Sequence, residues 1–154
     1  MKRTISVLAW IAIAIMASAP ATAQIGRRFP SERKVINDPK TGVELIFLTS
    51  QSGTGDSKIY QTHNQWTSDG KWVIFRSDRV PGEAMAVHEE NGDIVQVTEG
   101  GFSGMLCVAR HSMHLYYMRP VQKAREKSKE RSREREMEVV EIDLERLFAD
   151  SEAD

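Results

Sequence analysis

The stretch Asn64-Gln65-Trp66-Thr67-Ser68-Asp69-Gly70-Lys71-Trp72-Val73-Ile74-Phe75 decides the fold. Asp69-Gly70 supplies the positive φ that a tight turn between antiparallel strands needs, and apolar residues flank it on both sides. The stretch therefore predicts a hairpin. Working outward, Pro81-Gly82 turns the chain and Ala84–His88 reads as a third strand. Glu89-Glu90-Asn91-Gly92 is a second tight turn, followed by the alternating strand Asp93–Thr98. Residues 63–101 thus hold four short strands joined by tight turns.

The unit recurs. Trp66–Phe75 aligns with Val108–Tyr117 at an offset of 42 residues, and Met137–Asp143 matches the strand around Met85–His88 after an insertion. The run Val43–Thr49, which follows the turn residues Asn37–Gly42, resembles Gly92–Thr98. A period of ~40–45 residues with four strands per repeat is that of a β-propeller blade. Two unrelated hairpins in a sandwich are the alternative, and the repeated order of turn chemistry favours the propeller. The expected fold is all-β: a partial propeller of about two four-stranded antiparallel blades with an N-terminal closing strand. Blade one spans 60–101 and blade two 102–148, within an incomplete propeller domain over 43–154. Propellers need ~4 or more blades, so this arc requires further blades, from a longer chain or from another subunit.

Residues 1–23 read as a cleavable export signal. Lys2 and Arg3 form the basic start, Ile5–Ala17 the apolar stretch, and Ala21-Thr22-Ala23 the small-residue cleavage site. The apolar run is shorter than the ~20 residues a membrane-spanning helix needs. The expected location is periplasmic or secreted, with no membrane contact after cleavage. Residues 24–42 form a polar, extended lead-in containing Pro30. The whole chain has a net charge of −1, 40% hydrophobic and 28% charged residues, which suits a globular protein and offers no basic patch for nucleic acid. Cys107 is the single cysteine, so no disulfide is expected despite export. Its setting, Gly104-Met105-Leu106-Cys107-Val108, reads as that of a small buried hydrophobe. Lys123–Glu138 carries twelve charged residues in sixteen, with Glu126, Glu130 and Glu134 four apart. It reads as a solvated helical insertion with no apolar stripe.

The segment from Tyr60-Gln61 through Thr67–Arg79 to Val95–Gly100, with the lead-in Asp38–Val43, resembles the oligogalacturonate lyase family. The likeness covers residues 29–120. Its Ser-Asp-Gly-Lys…Phe…Ser-Asp-Arg pattern is shared with TolB-type propellers. The resemblance implies β-elimination of oligogalacturonides in pectin degradation with a divalent metal such as manganese. In such a reaction the metal stabilises charge on a uronate carboxylate while a general base, commonly His in this family, removes the α proton. The family's base and its His/Gln metal cluster lie in later blades, so no catalytic or metal residue carries over and this chain alone is expected to be inactive. A non-catalytic, TolB-like scaffold that holds a protein partner is the alternative. A propeller-fronted hydrolase whose catalytic part lies elsewhere is a third reading.

Within the chain, candidate substrate-binding residues are His63, Asn64, Gln65, Arg76 and Arg79. His63 opens the innermost strand of its blade, near the channel where propeller ligands sit. Asn64 and Gln65 suit sugar hydroxyls, and Arg76 and Arg79 suit uronate carboxylates. The competing expectation for the arginines is a structural ion pair with Asp69 or Asp78. Trp66 and Trp72 flank the hairpin turn as blade core or edge cover. His88, His111 and His114 show no metal-ligand spacing; a hairpin would turn His111 and His114 to opposite faces.

Overall fold

The computed structural model describes residues 24–121 and 136–152. Residues 1–23, expected to be an export signal, and most of the expected charged insertion lie outside them. The described residues form three antiparallel sheets and one helix, an arrangement consistent with part of a propeller.

The first sheet contains the second strand of the hairpin read from sequence, Trp72–Arg76. Its strands are β1 (Arg28–Phe29), β4 (Ser57–Lys58), β5 (Trp72–Arg76), β6 (Ala84–His88) and β7 (Ile94–Gln96), in the order β1-β7-β6-β5-β4. Val87 pairs with Ile94 across the Asn91-Gly92 turn, and at Asp69-Gly70 the Thr67 carbonyl accepts the Gly70 amide at 2.9 Å while the Thr67 amide donates to the Trp72 carbonyl at 3.0 Å. Gly70 and Gly92 take φ of 73° and 75° there. The second sheet, in the order β10-β9-β8, contains β8 (Ser103–Val108), β9 (His114–Pro120) and β10 (Met137–Asp143). β10 matches the strand expected after the insertion, so Met137 and Glu138 belong to a strand and not to the charged helical run. The third sheet is a ribbon of β2 (Lys34–Asn37) and β3 (Glu44–Phe47). Asp38 shapes its turn by accepting the amides of Lys40 and Thr41 at 2.9 and 2.7 Å.

Strand alternation gives the first sheet two buried faces. On one face Trp72, Ile74, Ala86 and Val95 pack with Leu106, Leu115 and Tyr117 of the second sheet in one cluster. On the other, Val73, Phe75, Met85, Val87 and Ile94 form a second cluster, against which Phe29 and Leu48 of the N-terminal segment pack. Each fully buried aliphatic side chain contributes roughly 1.5–3 kcal/mol, so the junction between the two sheets is a main source of stability.

Four sequence expectations change. The inner strand expected at 64–66 is reduced to one bridge, Trp66 with Val73, while β4, ahead of the expected start of blade one, pairs with Phe75 and Arg76. The strand expected at 43–49 pairs with β2, so part of the extended lead-in is itself a strand. Residues 144–148, placed at the end of blade two without an element assigned to them, begin helix α1 (Leu144–Glu152) directly after β10. Asp143 caps α1 by accepting the Arg146 amide at 3.0 Å, and Phe148 stacks on Trp72 at 4.0 Å. Cys107 is exposed, because alternation turns its neighbours Leu106 and Val108 into the core.

Candidate functional site

The inner edge of the first sheet is interrupted. Lys58 pairs with Phe75 and Trp66 with Val73, so eight residues advance on one side against two on the other. The six surplus residues form an excursion from the edge strand that holds His63, Asn64 and Gln65. Ile59, 1% exposed, anchors the start of the excursion in the core. The Gln65 carbonyl anchors its end by accepting the Ile74 amide at 2.7 Å. Between the anchors Tyr60 stands 47% exposed, and Trp66 just beyond them is 41% exposed. The Tyr60 and His63 rings lie 5.0 Å apart.

The five candidates divide by how their polar atoms are engaged. The Asn64 amide donates to the Trp66 carbonyl at 2.7 Å and accepts its amide at 3.3 Å, so its side chain shapes the excursion. Arg79 is tied into the structure. Its guanidinium donates to both Glu32 carboxylate oxygens at 2.7 Å, to the Ser77 hydroxyl at 2.7 Å and to Asp56. The Arg79 side chain is 4% exposed. Its partners are therefore Glu32 and Asp56, not the expected Asp69 or Asp78. Burial pushes the Glu32 carboxyl up, but hydrogen bonds from Arg79 and from the Ser50 and Gln51 amides outweigh it and hold it below its ordinary range. Asp56 behaves alike: burial raises it, and Arg79 with the Ser77 and Thr49 hydroxyls brings it down further. Burial works against the charge on Arg79, and Asp56 and Glu32 more than restore it.

His63, Gln65 and Arg76 differ from these two. Nδ1 of His63, Oε1 of Gln65 and Nε of Arg76 are buried without a hydrogen-bond partner. Buried polar atoms are normally satisfied, so such a group near one edge marks a place where ligand or water completes the bonding. Trp66 opposite Val73 sets Gln65 opposite Ile74, and Arg76 is two residues beyond Ile74 on the same face. That face meets the second sheet. There Nη2 of Arg76 reaches the Gly104 carbonyl at 3.4 Å, and the guanidinium lies 5.7 Å from the Phe102 ring centre. Gly104 takes φ of 78° within an irregular stretch of β8, which brings its carbonyl toward Arg76.

Other features fall elsewhere. Trp72 is core and Trp66 is surface. His111 is exposed in a turn, and His114 on β9 lies 3.6 Å from Glu141. A groove of about 230 Å³, lined by Asp69, Lys71, His88, Asp93 and Glu145, lies at the turn end of the first sheet beside α1, away from the excursion. Among the described residues no three His, Cys, Asp or Glu side chains converge as metal ligands. The residues present therefore do not fit a manganese site, and no step through a metal is assigned to them. No helix among the described residues is long and apolar enough to cross a membrane. Sequence reasoning missed Glu32 and Asp56; their signal is only an acid in the lead-in and another in a Gly/Ser loop, far from Arg79 in the chain.

The stacked antiparallel sheets define an all-β protein of propeller-like class. Its particular likeness is to oligogalacturonate lyase, as residues 29–120 suggest. An oligogalacturonate lyase in complex with manganese superposes with a TM-score of 0.53 at 19% identity, over 60% of this chain and 25% of that one. The oligogalacturonate lyase of Vibrio parahaemolyticus superposes with a TM-score of 0.58 at 20% identity, over 80% of this chain and 30% of that one. The matched region thus spans between a quarter and a third of the length of those lyases, and at this identity the likeness is one of fold. No known family profile matches the sequence, and no curated protein is found as a relative.

Proposed function

We propose that this chain is the N-terminal part of an exported β-propeller protein of the oligogalacturonate lyase type. The two larger sheets are two neighbouring blades of its ring, and the inner-edge excursion contributes contacts to an acidic oligosaccharide. The observation that carries the reading is the trio of unpartnered polar atoms on His63, Gln65 and Arg76; in the proposed ring their side of the sheet faces the channel. An arginine with a free Nε suits a uronate carboxylate, and the exposed Tyr60 and Trp66 offer apolar surface to sugar rings. Manganese and an oligogalacturonide belong to the whole protein, with the base and metal ligands in blades beyond this chain. Alone, the chain binds without turning over.

The test is a calorimetric titration with trigalacturonate, with and without manganese, alongside ultraviolet absorbance for new C=C bonds. Expected are weak binding, its loss in Arg76→Ala, and no rise in absorbance. Turnover by the chain itself sinks the statement that its chemistry lies elsewhere. A folded protein with no affinity for acidic or neutral oligosaccharides shifts the reading to a non-catalytic scaffold.

A further inference from the structure

The chain crosses from the first sheet to the second between β7 and β8, and the crossing runs beside Arg76. Gly100, Gly101 and Gly104 hold φ of 83°, 78° and 78° along it. Glycines at positive φ do not fix their own conformation, so the path has to be set from outside. Both sheets set it. From the second sheet, the Tyr117 hydroxyl accepts the Glu99 amide at 3.2 Å and donates to the Glu99 carbonyl at 3.1 Å. Arg119 donates to the same carbonyl at 3.1 Å. From the first sheet's side, the Gly82 carbonyl accepts the Phe102 amide at 3.2 Å.

Glu83 adds the tie that binding, as described so far, does not use. It is 3% exposed, and its carboxyl accepts the Gly101 amide at 2.8 Å and the Thr98 hydroxyl at 2.8 Å, one on each oxygen. Thr98 in turn accepts the Ala84 amide at 2.7 Å. Neither partner of the carboxyl is a cation. Burying such a group costs stability unless it is bonded, and an apolar residue carries no such cost. What the carboxyl does there is join the exit from β7 to the middle of the crossing. The consequence reaches Arg76. Phe102, next after Gly101, sets its ring centre 5.7 Å from the Arg76 guanidinium, and the Gly104 carbonyl accepts from Nη2 at 3.4 Å. These two contacts engage one face and one nitrogen of the guanidinium and leave Nε without a partner.

We propose that Glu83 is a positioning residue for the site at Arg76. It holds the crossing in the one path that sets Phe102 and the Gly104 carbonyl against the guanidinium, and so keeps Nε unspent for a ligand carboxylate. Glu83 itself touches no ligand. The inference rests on the reading of Arg76 as a ligand contact. A crossing released at Gly101 is free to move Phe102 and Gly104, and the guanidinium then turns to other acceptors. The affinity for a carboxylate falls for want of an oriented donor, with the arginine still in place.

The experiment follows the Arg76 Nε–H signal by nitrogen-15 NMR, assigned as the arginine signal missing from Arg76→Ala, together with calorimetric titration with trigalacturonate. The variants are Glu83→Ala and Glu83→Gln, each checked for folding by circular dichroism. Glutamine keeps an acceptor for the Gly101 amide, and the Thr98 hydroxyl can accept from its amide. Expected in Glu83→Ala are a shifted Nε–H signal and binding about tenfold weaker, the worth of one charge-assisted hydrogen bond. Glu83→Gln should return both to the parent values, and Phe148→Ala, which loosens a distant part of the core, should leave the signal in place. Glu83→Asp, one methylene short of Gly101, replaces the alanine variant if that does not fold, with the same expected losses. An Nε–H signal unmoved in folded Glu83→Ala overturns the proposal, as does a shift that Phe148→Ala reproduces or parent affinity in Glu83→Ala. A signal that moves in Glu83→Ala but not when trigalacturonate is added to the parent protein supports the positioning of Arg76 and overturns the ligand reading beneath it.

Discussion

Replacing Arg79 with methionine isolates what the N-terminal segment contributes. Arg79 is the only cation bonded to Glu32 and Asp56 among the described residues, and it joins the lead-in, the loop before β4 and the segment after β5. Methionine keeps much of the stem's packing and removes the charge. Removing one partner of a buried ion pair costs about 3–5 kcal/mol, because the other is left uncompensated. Here the low end applies. Glu32 keeps the amides of Ser50 and Gln51, at 3.0 and 2.9 Å, so it is not stranded. The expected loss is about 3 kcal/mol at neutral pH. It is measured by urea unfolding, followed through the fluorescence of the buried Trp72. The pH dependence carries the sharper test. In the parent protein Glu32 and Asp56 have folded pKa values below their unfolded ones. Their contribution is therefore complete above the ordinary carboxylate range of about 4 and is lost as pH falls through the depressed values. Without Arg79, burial and mutual repulsion raise both carboxyls, and protonation then relieves the variant. The gap between the two proteins must narrow on acidification. A loss under about 1 kcal/mol, or a gap that stays constant with pH, refutes the account of Arg79 as the tie for this segment.

Two further changes test the packing. Phe148→Ala removes a 6%-exposed ring stacked on Trp72 and should cost about 3 kcal/mol, or less if α1 detaches by itself, which amide exchange confined to 144–152 would reveal. Gly92→Ala meets a positive φ and would set a Cβ 2.3 Å from the Ser31 hydroxyl and 2.6 Å from the Arg33 Cβ, whereas Gly42→Ala has the same sign of φ and open space. Thermal melts should therefore show about 1–2 kcal/mol lost at Gly42 and distinctly more at Gly92; equal losses would mean the lead-in does not press on that turn.

Most of the β-structure was legible because its cues are local. Asp69-Gly70 and Asn91-Gly92 fix two hairpins by backbone conformation alone, and β6 and β10 fall where alternation and β-branched residues placed them. What was not legible depends on distant contacts. β1 has two residues and exists only because Arg28 and Phe29 meet Val95 and Ile94. β4 is equally short and lies in a Ser/Gly stretch. Helix α1 had a readable signal in Asp143 before Leu144, Leu147 and Phe148, a cap ahead of a helical stripe. Within the site, residue type named His63, Gln65 and Arg76, yet only the structure separates them from Asn64 and Arg79. Which donors are already spent depends on Glu32, 47 residues from Arg79 in the chain.

The contrast between β3 and β10 carries the synthesis furthest. β10 reads Met-Glu-Val-Val-Glu-Ile-Asp, with acids recurring along its length. After Glu44, β3 runs Leu45-Ile46-Phe47 into Leu48 without a polar residue. A strand covered on one side alternates, whereas a strand covered on both sides reads as a continuous apolar run. The composition of β3 is thus that of an inner strand, yet every residue of it is exposed. Exposure of that run is costly for a free ribbon and natural for two strands of an unfinished sheet. The segment that ties the lead-in to the first sheet through Arg79 also presents β2 and β3 to solvent, and the proposed ring would cover them with a further layer of β-structure.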